Sequence, residues 1–356
     1  MILALDAMGG DNAPQAVVDG ALMALRDLEN DFVIWLFGNE AQINACLEGK
    51  EYPADRLVVK PATEVITCEE APAVAVRRKK GSSMVLAAKA VAVRRKKNSS
   101  MVLAAKAVAD KEADCFISAG STGAVLSCGT LVIRRIKDVQ RPALAPLIPN
   151  LQGGHTMIID AGANVDCKPP YLVQFAQMGS AYMELVEGVK DPAVGLLNNG
   201  EEAEKGNELT KETYPLLQAL EGIRFTGNCE ARELMSGDFD VVVTDGFAGN
   251  VLLKSTEGTA KAITAMLKTE LMGSLRGAIG GAIAKPAFAA LKKKMDYTEV
   301  GGAPLLGVNG GVIKAHGSSN AKAFFNAIRQ AQKLVKGGVT KKIAAAVQAS
   351  EIQVEG

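Results

Sequence analysis

Short continuous apolar runs recur along the chain: "ILALDA" (2–7), "FVIWLFG" (32–38), "RLVVKPA" (56–62), "DCFISAG" (114–120), "LAPLIP" (144–149), "TMIIDAG" (156–162), "AVGLLN" (193–198), "DVVVTDG" (240–246) and "GVIKAHG" (311–317). Few of them alternate apolar with polar residues. A strand of that kind is covered by helices on both faces, the condition of a parallel sheet. Longer helical patterns separate the runs, so the expected fold is α/β, with a doubly wound, largely parallel sheet. No Ser- or Pro-rich linker divides residues 1–356, which read as a single α/β catalytic unit.

With aromatics at only 4%, the core must be built from Ala, Val, Leu, Ile and Met. A net charge of +1 gives no global argument for nucleic acid as a partner. The start, "MILALDAMGGD", has no basic region before its apolar run and is not expected to be a signal peptide. No stretch reaches the roughly 18–20 apolar residues of a spanning helix. The six cysteines form no C-x-x-C pair and there are only two histidines, so no zinc site is expected and the thiols read as reduced.

Two segments break the α/β rhythm. "VAVRRKKGSSMVLAAKA" (74–90) is followed at once by "VAVRRKKNSSMVLAAKA" (91–107), differing only at Gly81 against Asn98. Seventeen residues at about 100° each leave the second apolar face about a quarter turn off the first, so one continuous helix would present no single stripe. Gly81 and Asn98 suit a left-handed helix end, and Ser82 and Ser99 suit the next helix cap. Two units fall short of a solenoid, and the duplicated segment 74–107 reads as a tandem insertion of one helix and turn. The second segment, 248–295, carries almost no strand signal. It reads as a helical excursion with a break near Gly277–Gly281 and a last helix starting at Pro286.

The chemistry is expected where the strands end. "LDAMGGD", "SAGSTGA", "DAGANVDC", "NNGEEAEKG", "TDGFAGN" and "AHGSSN" all follow apolar runs. In a parallel sheet such loops gather at the carboxyl edge, where ligands bind. Glycines allow close approach, and helix starts offer N–H groups to an anion. Asp160, Asn164, Asp245, His316 and Asn320 are the candidate catalytic residues. Gly120, Ser121, Thr122, Gly123 and Lys314 are the candidate phosphate and acyl contacts. His316 suits a general base or an oxyanion donor. The basic runs Arg77–Lys80 and Arg94–Lys97, beside serines, suit either a phosphate clamp or a solvated helix end. Neither G-x-G-x-x-G nor a P-loop nor G-x-S-x-G occurs, so a small anion without a nucleotide handle is expected. Cys167 lacks a neighbouring histidine to make it a nucleophile.

Taken in order, "LDAMGGD", "SAGSTGA", "DAGANVDC", "QFAQMGSAY", "LLNNGEEAEKG", "TDGFAGNVLLKSTEG" and "GVIKAHGSSNAKAF" resemble the bacterial acyl-ACP:phosphate acyltransferase (PlsX) family from Met1 to about residue 345. The resemblance implies attack of inorganic phosphate on the thioester of long-chain acyl-ACP. The acyl phosphate formed then passes to a membrane glycerol-3-phosphate acyltransferase in phospholipid synthesis. It implies a fold like that of the isocitrate and isopropylmalate dehydrogenases. It also implies a cytoplasmic homodimer held peripherally at the membrane, with no cofactor and no metal. The family carries the "A-x-R-x-K-K-x-S-S-M" segment once, so the second copy is a departure. Two alternatives remain at this stage: an NAD-dependent decarboxylating dehydrogenase of related fold using Asp160, Asp166 and Asp245, or a non-catalytic carrier-protein or membrane scaffold.

Overall fold

The computed structural model describes residues 1–66, 93, 95–294 and 300–350. The upstream repeat copy, 74–90, lies outside the described residues. The apolar runs do form mostly parallel strands between helices, but in two sheets. The first has the order β3-β2-β1-β4-β12-β11-β5. Its parallel part is β1 (Ile2–Asp6), β2 (Val33–Gly38), β3 (Leu57–Pro61), β4 (Cys115–Ser118) and β12 (Gly311–Ala315); β11 (Gly302–Leu306) and β5 (Ala143–Leu144) extend it antiparallel. The second has the order β6-β7-β10-β8-β9. Here β7 (His155–Ile159), β8 (Ala193–Asn198), β9 (Arg224–Glu230) and β10 (Val241–Val243) are parallel, and β6 (Leu147–Pro149) is antiparallel.

The run 144–149, expected as one strand, gives a strand to each sheet. Pro146 sits at the crossing, where its missing N–H removes no ladder bond. Ala145 N still donates to Pro304 O on the first side, and Pro146 O accepts from Ile158 N on the second. Strands β9 and β11 were not expected. One alternates exposed and half-buried residues around Gly227, and the other contains Gly302 and Pro304.

Helices α1 (Gln15–Asp27), α2 (Glu40–Leu47), α3 (Ser100–Ala109), α4 (Thr122–Ser127), α5 (Pro169–Tyr182) and α6 (Glu208–Gln218) lie between strands. A helical excursion, α7 (Gly246–Met272) and α8 (Leu275–Lys294), precedes β11, and α9 (Ala321–Lys336) and α10 (Val339–Ala349) follow β12. Helix α1 packs on α9, and Gly20 makes this possible: a Cβ there would lie 2.5 Å from Phe324 Cβ. One apolar cluster runs unbroken from Leu5 and Ile117 through Ala143 and Leu147 to Met157, Tyr182 and Val241, joining the sheets. Second and third clusters lie under α3 and α4 and on the far face of the second sheet.

The excursion is a helical hairpin of α7 (Gly246–Met272) and α8 (Leu275–Lys294). The break falls at Gly273 and Ser274 rather than at Gly277–Gly281, and Pro286 lies inside α8 instead of starting it. Gly277 serves the hairpin differently, since a Cβ there would lie 2.5 Å from Leu271 O. Only Gly246 and Gly249 of α7 are buried. The outward side chains include Ile263, Met266, Met272, Leu275, Ile279 and Ile283. Among the described residues, no helix is long and apolar enough to cross a membrane.

The downstream repeat copy is used as the sequence suggested at Ser99, whose side chain accepts from Val102 N at the start of α3. Its Ala-rich face (Met101, Val102, Ala104, Ala105, Val108) lies flat on the first sheet. Asn98, expected in a left-handed turn, keeps a negative φ. The turn is secured instead by Glu64, which accepts from Asn98 N through Oε2 and from Ser100 N through its carbonyl. Lys96 Nζ donates to Val65 O, which makes this cation a tie to the β3 end. Deleting residues 74–90 joins "EEAPA" to an intact second copy and preserves every one of these contacts. The expected result is an unchanged circular dichroism spectrum and a melting temperature unchanged or raised by about 2 °C. Loss of the folded spectrum would show the extra copy to be integral.

Candidate active site

On the second sheet the carboxyl edge is organised by Asp160, fully buried after β7. Its Oδ1 accepts from Leu144 N at 2.9 Å and Ala163 N at 3.0 Å, and its Oδ2 from Asn164 N at 2.6 Å and Asn164 Nδ2 at 2.9 Å. Leu144 belongs to the first sheet, so one carboxylate ties both. Burial pushes its pKa up to about 6 while these donors pull it back, which leaves it largely ionised at neutral pH. Asn164 Nδ2 also donates to Pro142 O. Asp245 caps α7, its Oδ1 accepting from Phe247 N and Ala248 N, both at 2.8 Å. Helix α7 begins directly over Asp160. A Cβ at Gly246 would lie 2.8 Å from Asp160 Oδ2, and one at Gly249 would lie 2.0 Å from Asp160 O.

On the first sheet the ends of β1, β4 and β12 meet. Asp11 N donates to Gly317 O at 2.8 Å, and Asn12 Nδ2 donates to the carbonyls of Ser318 and Ser319. Gly10 has φ +101°, and a Cβ there would lie 2.9 Å from Ala119 Cβ. Ser121 caps α4 through Ala124 N, Asn320 caps α9 through Ala323 N, and Thr122 is exposed. Gly120 leaves room for the end of the Met101 side chain, since a Cβ would lie 2.3 Å from Met101 Cε and 3.2 Å from Ser118 Oγ.

His316, beyond β12, lies within electrostatic range of α7. Burial lowers its pKa, and so do Lys254 and Lys261 of α7 and Lys314 of β12; Glu257 opposes them. Its Nδ1 accepts from Ser318 N at 3.2 Å and lies 2.8 Å from Ser318 Oγ. The neutral ring therefore carries its proton on Nε2, a tautomer assigned from these bonds. Lys314 Nζ donates to Ala315 O.

The sequence-predicted residues thus fall in two linked groups. Asp160, Asn164 and Asp245 share one loop cluster; Gly120, Ser121, Thr122, Gly123, Lys314, His316 and Asn320 edge the other. Both carboxylate oxygens of Asp160, Oδ1 of Asp245 and the amide oxygen of Asn320 accept from backbone N–H groups, so each of these side chains holds a loop or helix start. Cys167 is a thiol: burial, then Asp160 and Asp245, push its pKa up to about 12. Glu201, Glu230 and Glu233 bring carboxylate oxygens within 4.8 Å of one another, but Arg232 ion-pairs with the first two. Asp6, Ser100 and Ser118 were missed as a group. They form a buried network at the β1 end, and the polar residue closing an apolar run was the available signal.

A family model described as fatty acid synthesis protein matches residues 1–92 and 88–342, the match being split within the duplicated stretch. The chain belongs to that family. Within it, a phosphate acyltransferase of Clostridium perfringens is 48% identical over 343 residues, covering 96% of each chain. One of Clostridium botulinum is 49% identical over 332 residues, covering 93% of each. The resemblance read from the strand-end loops therefore holds along the chain, and the family is one of phosphate acyltransferases. Among solved structures, a phosphotransacetylase from Streptococcus pyogenes matches with TM-score 0.58 at 14% identity, covering 98% of this chain and 94% of that one. A branched-chain phosphotransacylase from Enterococcus faecalis matches with TM-score 0.55 at 14% identity, covering 94% and 99%. At that identity the likeness is one of fold.

The Asp160 tie makes a direct prediction. Asp160→Asn turns an N–H₂ toward backbone donors whichever way the amide faces. It should cost about 1–3 kcal/mol, read as a lower urea midpoint. An unchanged midpoint would remove Asp160 from its place between the sheets.

Proposed function

We propose that the protein forms acyl phosphate from long-chain acyl-ACP and inorganic phosphate, supplying phospholipid synthesis. The observation that carries this reading is the strand-end edge where His316 Nδ1 takes Ser318 N, leaving Nε2 as the ring's donor, with Lys314 on β12 and Lys254, paired to Glu257, and Lys261 on α7 acting on the ring. Fixed cations suit an anionic nucleophile, and a neutral imidazole N–H suits an oxyanion. The names of the family relatives favour acyl transfer over hydride transfer or a scaffold.

A phosphate oxygen attacks the thioester carbon, a C–O bond forms, and the carbonyl oxygen becomes an oxyanion. Collapse breaks the C–S bond, and the carrier thiolate leaves to take a proton from solvent. These atoms balance without a redox cofactor or an enzyme nucleophile. In this reading Gly120–Gly123 and Lys314 hold the phosphate, and His316 Nε2–H meets the oxyanion. Asp160, Asn164, Asp245 and Asn320 keep the loops in place.

Incubation with palmitoyl-ACP and phosphate should yield acyl phosphate by mass spectrometry; no product would sink the reading. Thr122→Val should raise the phosphate KM about tenfold while the acyl-ACP KM stays within about twofold. Neutral His316 is required, and in the free protein its pKa lies below the ordinary value of about 6.5, so its contribution to the acid limb of kcat/KM for acyl-ACP should appear only below that pH. Lys254→Met removes a cation and leaves Glu257 beside the ring, so that acid limb should move upward. A limb that stays fixed would separate His316 from the reaction.

The hairpin supplies the associative part of the proposal. Its apolar side chains, interspersed with Lys268, Arg276 and Lys285, suit the interface of an anionic membrane, close to the integral acceptor of acyl phosphate. A second copy packed along the hairpin base, giving the homodimer, belongs to the same reading. Leu271 packs across the hairpin against Gly281, whereas Leu275 and Ile283 are 80% and 77% exposed. Leu275→Glu with Ile283→Glu should release the protein from anionic vesicles and spare activity on acyl-ACP. Retained vesicle binding would exclude this face.

A further inference from the structure

Asp6 closes β1 with its side chain buried, only 2% of the residue being exposed, and among the described residues none of its bonds comes from a cation. Its Oδ1 accepts from Ser100 Oγ at 2.6 Å and Met8 N at 3.2 Å, and its Oδ2 from Ser118 Oγ at 2.7 Å. Ser118 Oγ in turn accepts from Gly120 N at 3.0 Å. A Cβ at Gly9 would lie 2.5 Å from Asp6 Oδ2, 2.9 Å from Ser118 Oγ and 2.8 Å from Gly120 N, so the first loop is pressed against this chain of bonds.

A buried carboxylate without a cation is costly, and an amide of the same shape would avoid the charge. The amide would fail on polarity. Ser118 accepts from Gly120 N and gives its one proton to Asp6 Oδ2, an oxygen that takes no other donor from the main chain among the described residues. If the amide oxygen faced Ser118, its N–H₂ would face Met8 N, a second donor. Burial raises the Asp6 pKa, yet whether ionised or protonated on Oδ1 toward Ser100, the aspartic side chain keeps Oδ2 an acceptor, so the bonds run one way from Gly120 N–H through Ser118 O–H into Asp6. Gly120 opens the Gly120–Thr122 loop.

We propose that Asp6 is the positioning residue of this loop. By fixing the direction of the Gly120–Ser118–Asp6 bonds, it holds the loop backbone in the shape that receives phosphate. The proposal rests on the reading of that loop given above. Ser100 serves a separate purpose, tying the start of α3 to the other oxygen.

The test measures inorganic phosphate binding by calorimetry, with acyl-ACP kinetics and thermal melts alongside, for the parent, Asp6→Asn, Ser118→Ala and Ser100→Ala. Asp6→Asn and Ser118→Ala should weaken phosphate binding about tenfold with the acyl-ACP KM unchanged. Ser100→Ala should lower the melting temperature and bind phosphate like the parent. The proposal is overturned if the first two variants bind phosphate like the parent. It is overturned equally if all three weaken together in step with lost stability. If Asp6→Asn fails to fold, Ser118→Ala decides. A parent that binds phosphate but transfers no acyl group defeats the proposed reaction while the binding comparison still decides the role of Asp6. A parent that binds no phosphate defeats both.

Discussion

The carboxylate of Asp160 is the point on which the two-sheet arrangement turns. The strands of each sheet end in loops, and loops alone would not keep two edges facing. Segment 143–149 crosses between the sheets, giving two residues to the first and three to the second, which is a thin bridge. Asp160 reinforces it by taking Leu144 N from one sheet and the 163–164 backbone from the other. A buried charge is expensive, and the expense is offset only when its lone pairs are filled. That requirement propagates outward. Filling Oδ2 fixes the Asn164 loop, whose carbonyl takes Gly246 N, and this sets where α7 starts.

Mounted that way, the hairpin follows a different economy from the other helices. The usual stabilisation of a helix is burial of one face. Helix α7 buries only two glycines at its base, and the large exposed apolar side chains of the described chain concentrate along it and α8. Packing between the two helices covers part of that surface, around Leu271 and Gly281. The remainder is a patch that an isolated soluble chain has no reason to keep. The base of this hairpin is also the rim of the site, through Asp245 and the Lys254–His316 neighbourhood. The apolar face is therefore connected through α7 to the loops where chemistry is proposed.

Much of this was legible in the sequence because burial on both faces writes a continuous apolar run, as in β1, β4, β7 and β10. Strand β9 escaped because its exposed residues alternate, and β11 because Gly302 and Pro304 disguise it. The split of 144–149 was illegible for a sharper reason: both halves are apolar, and only the partner strands tell them apart. The site followed the same rule. Polar residues after strands marked Asp160, Asp245 and Asn320 correctly as edge residues, but capping and catalysis use the same side chains, so their occupation by backbone N–H groups had to be seen. The Asp6 network joins residues 94 and 112 positions apart, and no local pattern announces a bond between them. The His316 tautomer likewise depends on Ser318 N, a backbone group without a sequence signature.

The duplication shows how local such requirements are. The ten residues of α3 recur unchanged at 83–92, so the chain carries a spare version of every side chain that fills this slot. The slot itself is defined from outside: Glu64 and Val65 hold the helix start, Asp6 takes Ser100, and Gly120 leaves room for Met101. None of those partners lies within the repeat. An extra copy therefore only lengthens the connection between Ile66 and Ser99, roughly doubling it. Closure entropy grows with the logarithm of length, so that doubling costs about 0.6 kcal/mol. The burial of Met101, Val102 and Val108 is worth about 1.5–3 kcal/mol for each large side chain and outweighs it. The insertion is tolerated because the surrounding fold specifies one helix.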